Sequence, residues 1–122
     1  MKSILIVDDS VMIRRALHAL LDKHGDWNVC GEAENGQEGV DKALALCPDL
    51  VLLDLSMPVM NGFQAARELH RLRPNVIILM FTTFSNAHIE REALALGVRA
   101  VKSKSEGMDS LYRSIEDLFQ AA

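Results

Sequence analysis

The sequence predicts an α/β fold, an open parallel sheet covered by helices on both faces. Three observations carry the prediction: apolar runs without alternation, amphipathic helical spacing between them, and stop residues where one gives way to the other. The runs are Ile4-Leu5-Ile6-Val7, Leu50-Val51-Leu52-Leu53 and Val76-Ile77-Ile78-Leu79-Met80-Phe81. A strand that is apolar at every position is buried on both faces, as parallel strands are. Residues 27–31 and 98–103 are two weaker strand candidates.

The helices follow from periodicity. Ile13, Leu17, Leu20 and Leu21 fall at i, i+4, i+7 and i+8, and Leu111, Ile115, Leu118 and Phe119 repeat that spacing. Residues 37–46, 62–72 and 86–96 read as three more helices, with stops at Gly25, Pro48, Pro74 and Gly97. Strand and helix alternate five times, which selects helices on both sides of one sheet. Right-handed crossovers then leave few topologies.

Composition sets the bounds. The 122 residues correspond to one domain, expected over residues 1–122 with no second domain attached. A chain of this size buries about two-thirds of the surface its unfolded form exposes. With 49% hydrophobic and 25% charged residues it reads as a globule and not a disordered tail. A formal net charge of −4 argues against a face built for nucleic-acid phosphates. No apolar run approaches the roughly 20 residues of a membrane helix, and Asp8 and Asp9 interrupt the first apolar stretch before it could serve as a signal peptide. Two cysteines, Cys30 and Cys47, are too few for a disulfide framework and are expected to be small buried apolar residues in a reducing cytoplasm.

In an open α/β sheet the functional crevice lies outside the carboxyl ends of the strands. The residues there are Asp8-Asp9-Ser10, Glu32-Ala33-Glu34, Asp54-Leu55-Ser56, Thr82-Thr83 and Lys104-Ser105. Asp8, Asp9 and Asp54 crowd like charges into a small region, which a divalent cation relieves. Magnesium suits one or two carboxylates with water and phosphate oxygens. One of Asp8, Asp9 and Ser10 could simply cap the helix starting near Val11, but a cap needs one residue and explains neither the acid pair nor the second acidic strand end. An aspartate beside Mg²⁺ is able to accept a phosphoryl group as an acyl phosphate. Thr82 offers a hydroxyl to a phosphoryl oxygen and Lys104 an ammonium.

With these residues in view the chain resembles the receiver domain of two-component response regulators. The carriers are Ile6-Val7-Asp8-Asp9-Ser10, Asp54-Leu55-Ser56-Met57-Pro58 with Asn61-Gly62, Thr82, and Lys104 seven residues after Gly97. Val29 to Asn35 and the helix after it look closest to receivers that precede a helix-turn-helix output domain, those of the NarL/FixJ type. The resemblance implies a flavodoxin-like (βα)5 fold with strand order 2-1-3-4-5. It implies that Asp54 is the phosphoacceptor, supplied by a histidine kinase or phosphotransfer protein. It implies that Asp9, Asp54 and the Ser56 backbone carbonyl bind Mg²⁺, with Asp8 held through water. Thr82 matches the switch hydroxyl, and Lys104 the lysine that pairs with Asp54 or its phosphate. Output to a downstream protein or output domain would use the surface of the fourth helix, fifth strand and fifth helix, including His88, Arg91, Glu92, Arg99 and residues 106–112. A phosphorylation-linked homodimer belongs to the same picture; membrane and direct nucleic-acid contact do not. The chain is then no enzyme beyond taking part in its own phosphoryl transfer and dephosphorylation.

The chain departs from the family pattern at three places. Val101 stands where a rotating Tyr or Phe is usual, and Tyr112 on the last helix is no substitute. Ser105 replaces the proline that often follows the lysine. Lys102 occupies a usually apolar place; it is expected to lay its stem along the surface, so that Lys104 and not Lys102 meets the phosphoryl group. Ser56 and Phe84 flank the site and bear on phosphate lifetime. Histidines 18, 24, 70 and 88 lack paired metal spacing, Trp27 is expected to pack locally, and Glu32 and Glu34 to lie beside the acidic site, not in it. Two rival functions remain: a phosphate-independent binding module, which Val101 favours, and the N-terminal fragment of a DNA-binding transcriptional regulator. A phosphohydrolase with an aspartyl nucleophile would need that residue in Asp-x-Asp after the first strand, where this chain reads Asp8-Asp9-Ser10.

Overall fold

The three apolar runs form the middle of one sheet. In the computed structural model, which describes residues 1–83 and 85–121, the strands are β1 (Lys2–Val7), β2 (Trp27–Ala33), β3 (Leu50–Leu53), β4 (Ile77–Thr82) and β5 (Ala100–Ser103). The helices are α1 (Val11–Leu21), α2 (Gly36–Leu46), α3 (Gly62–Leu72), α4 (Ala87–Ala95) and α5 (Met108–Ala121), with a 3-10 turn at Lys104–Glu106. All pairings are parallel and the order is β2-β1-β3-β4-β5. Phe84 lies outside the described residues.

Successive strand side chains point to opposite faces, and both faces are covered. Leu5, Val7, Val51, Leu53, Ile78 and Met80 cluster with Val40 and Ala43 of α2, Ala65 and Leu69 of α3 and Ala93 of α4. Ile4, Ile6, Leu50, Leu52, Leu79 and Phe81 cluster with Leu17 and Leu21 of α1 and Leu111 and Ile115 of α5. Each Val, Leu, Ile, Met or Phe side chain among them, fully buried, contributes about 1.5–3 kcal/mol of transfer free energy. Four helices start on a side-chain cap: Ser10, Asn35, Asn61 and Asn86 accept the N–H groups of Ile13, Glu38, Gln64 and Ile89.

Edges differ from the sequence expectation where tertiary contacts intervene. β2 continues past Gly31 to Ala33 because a bulge at Cys30 shifts its register on β1, pairing Ile4 with Val29 and Leu5 with Gly31. Glu32 is tolerated there because Arg14 Nε donates to it at 3.1 Å and His18 Nδ1 lies 3.0 Å from its other oxygen. These contacts hold the Glu32 carboxyl below its ordinary range, the His18 hydrogen bond foremost. β5 starts at Ala100, not 98, since Gly97 (φ +97°) turns the chain and Val98 N–H donates to Ala93 O. Trp27 packs locally as expected, stacked on His24 at 3.9 Å, with Tyr112 and Phe119 around it at 5.0 and 5.7 Å.

The cysteine expectation holds only in part at Cys30 and fails at Cys47. Cys30 is half-buried, but Cys47 is exposed and holds the α2 C-cap in the left-handed region (φ +50°) before buried Pro48. Composition cannot reveal a residue used for a turn in place of glycine. Replacing Cys47 by Gly removes the Cβ penalty of that conformation, so Cys47→Gly should raise stability by about 0.5–1 kcal/mol. Urea unfolding midpoints measure this, and an unchanged or lowered midpoint contradicts it.

Candidate functional site

Register builds the site. Val7 pairs with Leu53 and Leu53 with Met80, so the residues just past β1 and β3 stand side by side. Asp54 N–H donates to Val7 O at 2.9 Å, and Asp8 N–H to Ala33 O at 3.0 Å. Ser10 is the α1 cap, which leaves both aspartates before it for the strand edge. Asp8 and Asp54 are 2% and 6% exposed, Thr82 is buried, and Asp9 is exposed. One oxygen from each of Asp8, Asp9 and Asp54 lies within 4.8 Å of the others.

The carboxylates are oriented by their own loops and by one cation. Asp8 Oδ1 accepts the Ser10 N–H at 2.9 Å, and Asp8 Oδ2 accepts from Lys104 Nζ at 2.8 Å. Asp54 Oδ1 accepts the Leu55 N–H at 2.8 Å, and its Oδ2 lies 3.5 Å from Lys104 Nζ. Arg14 braces the edge from behind, donating to Asp8 O at 2.7 Å. Gly62 allows α3 to start directly against this loop: a Cβ there would lie 2.3 Å from the Asp54 carbonyl oxygen. A cleft of about 570 Å³ opens over Asp8, Asp9, Asp54, Ser56, Thr82 and Lys104.

All six residues singled out from the sequence thus line one cleft, and Glu32 lies outside it among Arg14 and His18. Lys102 and Lys104 diverge because β5 ends at Ser103 and a 3-10 turn follows. Lys102 Nζ sits 3.4 Å from Glu106 Oε2, while Lys104 turns to the acids. Arg14, which reaches the main chain of Asp8, escaped the sequence reading. Its only signal is a basic residue one turn inside α1, where many helices carry one. Val101 packs against the cluster that holds Met80, its partner across β4.

Three close carboxylates with hard oxygen donors fit a small divalent cation such as Mg²⁺. Burial foremost, then the Asp8 charge, pushes the Asp54 carboxyl above its ordinary range; Lys104 and the Leu55 N–H pull it down, and Asp9 adds to the rise.

The comparisons with known proteins agree with this geometry. The sequence matches the family described as the response regulator receiver domain over residues 4–116, and the chain belongs to that family. It is therefore a receiver domain of two-component signal transduction, a class in which phosphorylation and Mg²⁺ binding are typical. The chemotaxis protein CheY of Thermotoga maritima is 38% identical over 98 residues, which are 80% of this chain and 81% of CheY. The transcriptional regulatory protein YdfI of Bacillus subtilis is 33% identical over 116 residues, which are 95% of this chain and 54% of YdfI. A LuxR-family response regulator from Aurantimonas superposes with a TM-score of 0.93 at 25% identity, covering 98% of this chain and 85% of that one. The chain spans about half the length of YdfI and of a second Bacillus subtilis regulator, LnrK. Among the described residues, no helix is long and apolar enough to cross a membrane.

A raised carboxyl pKa in the folded state means that the ionised form opposes folding. The stability it contributes is full below the unfolded pKa and is lost as pH rises through the folded one. Asp54→Asn keeps an acceptor for the Leu55 N–H and leaves Lys104 on Asp8. In EDTA near neutral pH it should be more stable by on the order of 1 kcal/mol and melt at a correspondingly higher temperature. The gap should close as pH falls into the ordinary carboxylate range. Thermal melts across that range test it; a gap independent of pH would contradict the assignment of cause.

Proposed function

We propose that Asp54 is the phosphoacceptor of this receiver and takes its phosphoryl group from a phosphohistidine of a kinase or phosphotransfer protein. The observation that carries this reading is the convergence of the Asp54 carboxylate, the Lys104 ammonium and the Thr82 hydroxyl on one cleft. An Asp54 oxygen attacks phosphorus, the P–N bond to the donor imidazole breaks, and its electron pair stays on the ring nitrogen. The product is an acyl phosphate on Asp54. Lys104, shared between Asp8 and Asp54, stays within reach of the phosphoryl charge, and Thr82 donates to a phosphoryl oxygen.

Asp9, Asp54 and the Ser56 main-chain carbonyl are the ligands we assign to Mg²⁺. Both oxygens of Asp8 already have protein donors, which supports a place for Asp8 one water removed. When bound, the ion neutralises charge shared by the carboxylates and the phosphoryl oxygens. Phosphorylation adds about −1.5 to −2 charges and new acceptor oxygens, enough to bias a loop with two arrangements. The readout surface we assign is that of α4, β5 and α5, where His88 pairs with Glu92 at 3.1 Å and Lys102 with Glu106. Its partner is a downstream protein, an output domain or a second copy. The chain acts there as a phosphoacceptor in the cytoplasm, catalysing nothing beyond its own phosphoryl transfer and hydrolysis.

A second reading concerns the whole protein. Because the chain spans about half of two transcriptional regulatory proteins, it is also the expected receiver half of a DNA-binding regulator of that length.

Intact mass after incubation with Mg²⁺ and acetyl phosphate should rise by one phosphoryl group in the parent and not in Asp54→Asn. No gain, together with no beryllofluoride binding, would move the function to a phosphate-independent binding module. The same assay separates the lysines. Lys102→Ala should phosphorylate and switch like the parent, and Lys104→Ala should lose at least about tenfold in one of the two, a charge-assisted hydrogen bond of about 1.5–3 kcal/mol being removed. The reverse pattern would reassign the phosphoryl contact to Lys102.

A further inference from the structure

The edge of the sheet opposite the acidic cleft carries a second cavity, of about 420 Å³, at the amino ends of the strands. Lys2 opens β1 there, Asp49 precedes β3, Arg73 follows α3 and Arg99 precedes β5, with Leu72 and the Phe119 ring supplying apolar wall. We infer that this cavity is a binding site for a small organic anion, one acidic group attached to an apolar or aromatic body.

Charge is the first ground. The chain carries a net −4, yet three cations converge on this cavity. Among the described residues none of the three forms an ion pair with a carboxylate. Arg73 donates to the carbonyls of Leu72 and Leu44, which orients the guanidinium without neutralising it. Lys2 Nζ stands 5.7 Å over the Phe119 ring, and a cation on a ring face keeps its charge. The single acid in the wall, Asp49, is turned to the Ser3 N–H and hydroxyl, at 2.8 and 3.2 Å. Shape and lining are the second ground: the volume falls within the roughly 300–1,000 Å³ of small-molecule sites, which combine apolar walls with a few convergent polar groups.

An occupant would touch residues from three connections of the fold and from β1 and α5, at the edge of the sheet opposite Asp54. It should therefore bind with equal strength to the parent and to Asp54→Asn.

The test is amide NMR of the ¹⁵N-labelled chain titrated with naphthalene-1-sulfonate, and in parallel with the uncharged naphthalene-1-methanol. Saturable shifts are expected for the sulfonate at the amides of residues 2, 47, 49, 72, 73, 75–77, 99 and 119. Affinity should be about tenfold weaker for the alcohol, and for the sulfonate with Arg99→Glu or in about 0.5 M salt. Arg99 is exposed, so its reversal tests charge without touching the core. Arg73→Lys keeps the charge and should bind within a few fold of the parent. Four results would overturn the site: no saturable shift, shifts gathered instead at the exposed Val11, Met12 and Val59, equal binding of the alcohol, or parent-like affinity in Arg99→Glu.

Discussion

Lys104 is the counter-ion on which the acidic edge depends. Backbone register between β1 and β3 leaves Asp8 and Asp54 side by side and buried, where burial and then the Asp8 charge raise the cost of ionising Asp54. One ammonium, 2.8 Å from Asp8 and 3.5 Å from Asp54, offsets both. It compensates only in part, as the upward displacement of the Asp54 carboxyl records. A cleft with surplus negative charge and one shared cation is suited to holding a further cation. At Asp54 burial and like charge oppose the ionised carboxylate that the proposed phosphoacceptor role requires, the usual condition of a site whose groups are poised in this way.

The remainder of the fold keeps that edge rigid. β3 and β4 are buried at every position, so their ends have little freedom to move apart. Ser10, Asn35, Asn61 and Asn86 start their helices close behind the strands. Gly62 removes the one Cβ that would push α3 off the Asp54 loop. Arg14 ties Asp8 to Glu32 and through it to His18, so the edge strand β2 takes part in holding the acid pair. The aromatic group around Trp27 sits at the other end of the molecule, where Tyr112 is committed to packing. No aromatic from α5 is then available to replace the one that Val101 lacks.

Departures from the sequence reading share a cause. Strand 2 was legible only to Gly31, because a glutamate at the next position reads as a strand end until Arg14 and His18, 18 and 14 residues away in the chain, are seen beside it. Cys47 reads as a buried thiol on composition, and its left-handed turn is a matter of backbone conformation that no side-chain pattern reports. Lys102 and Lys104 share a parity that places them on one strand face. They separate because the strand stops between them and a 3-10 turn redirects the second.

The amino-acid sequence by itself determined the class of fold, the five-fold alternation and the residues of the acidic edge. Those follow from local rules: unbroken apolar runs must be buried on both faces, and polar residues closing such runs must gather at one edge. Tertiary structure alone decided how those residues meet. Which aspartates are buried and which lysine reaches them depend on contacts between strand ends far apart in the chain, while the Ser10 cap and the Arg14 brace on Asp8 are short-range contacts chosen among several local candidates. The cationic cavity at the opposite edge belongs to the same category. Lys2, Arg73, Arg99 and Phe119 have no sequence pattern in common, and they converge because a parallel sheet brings the starts of its strands together as surely as their ends.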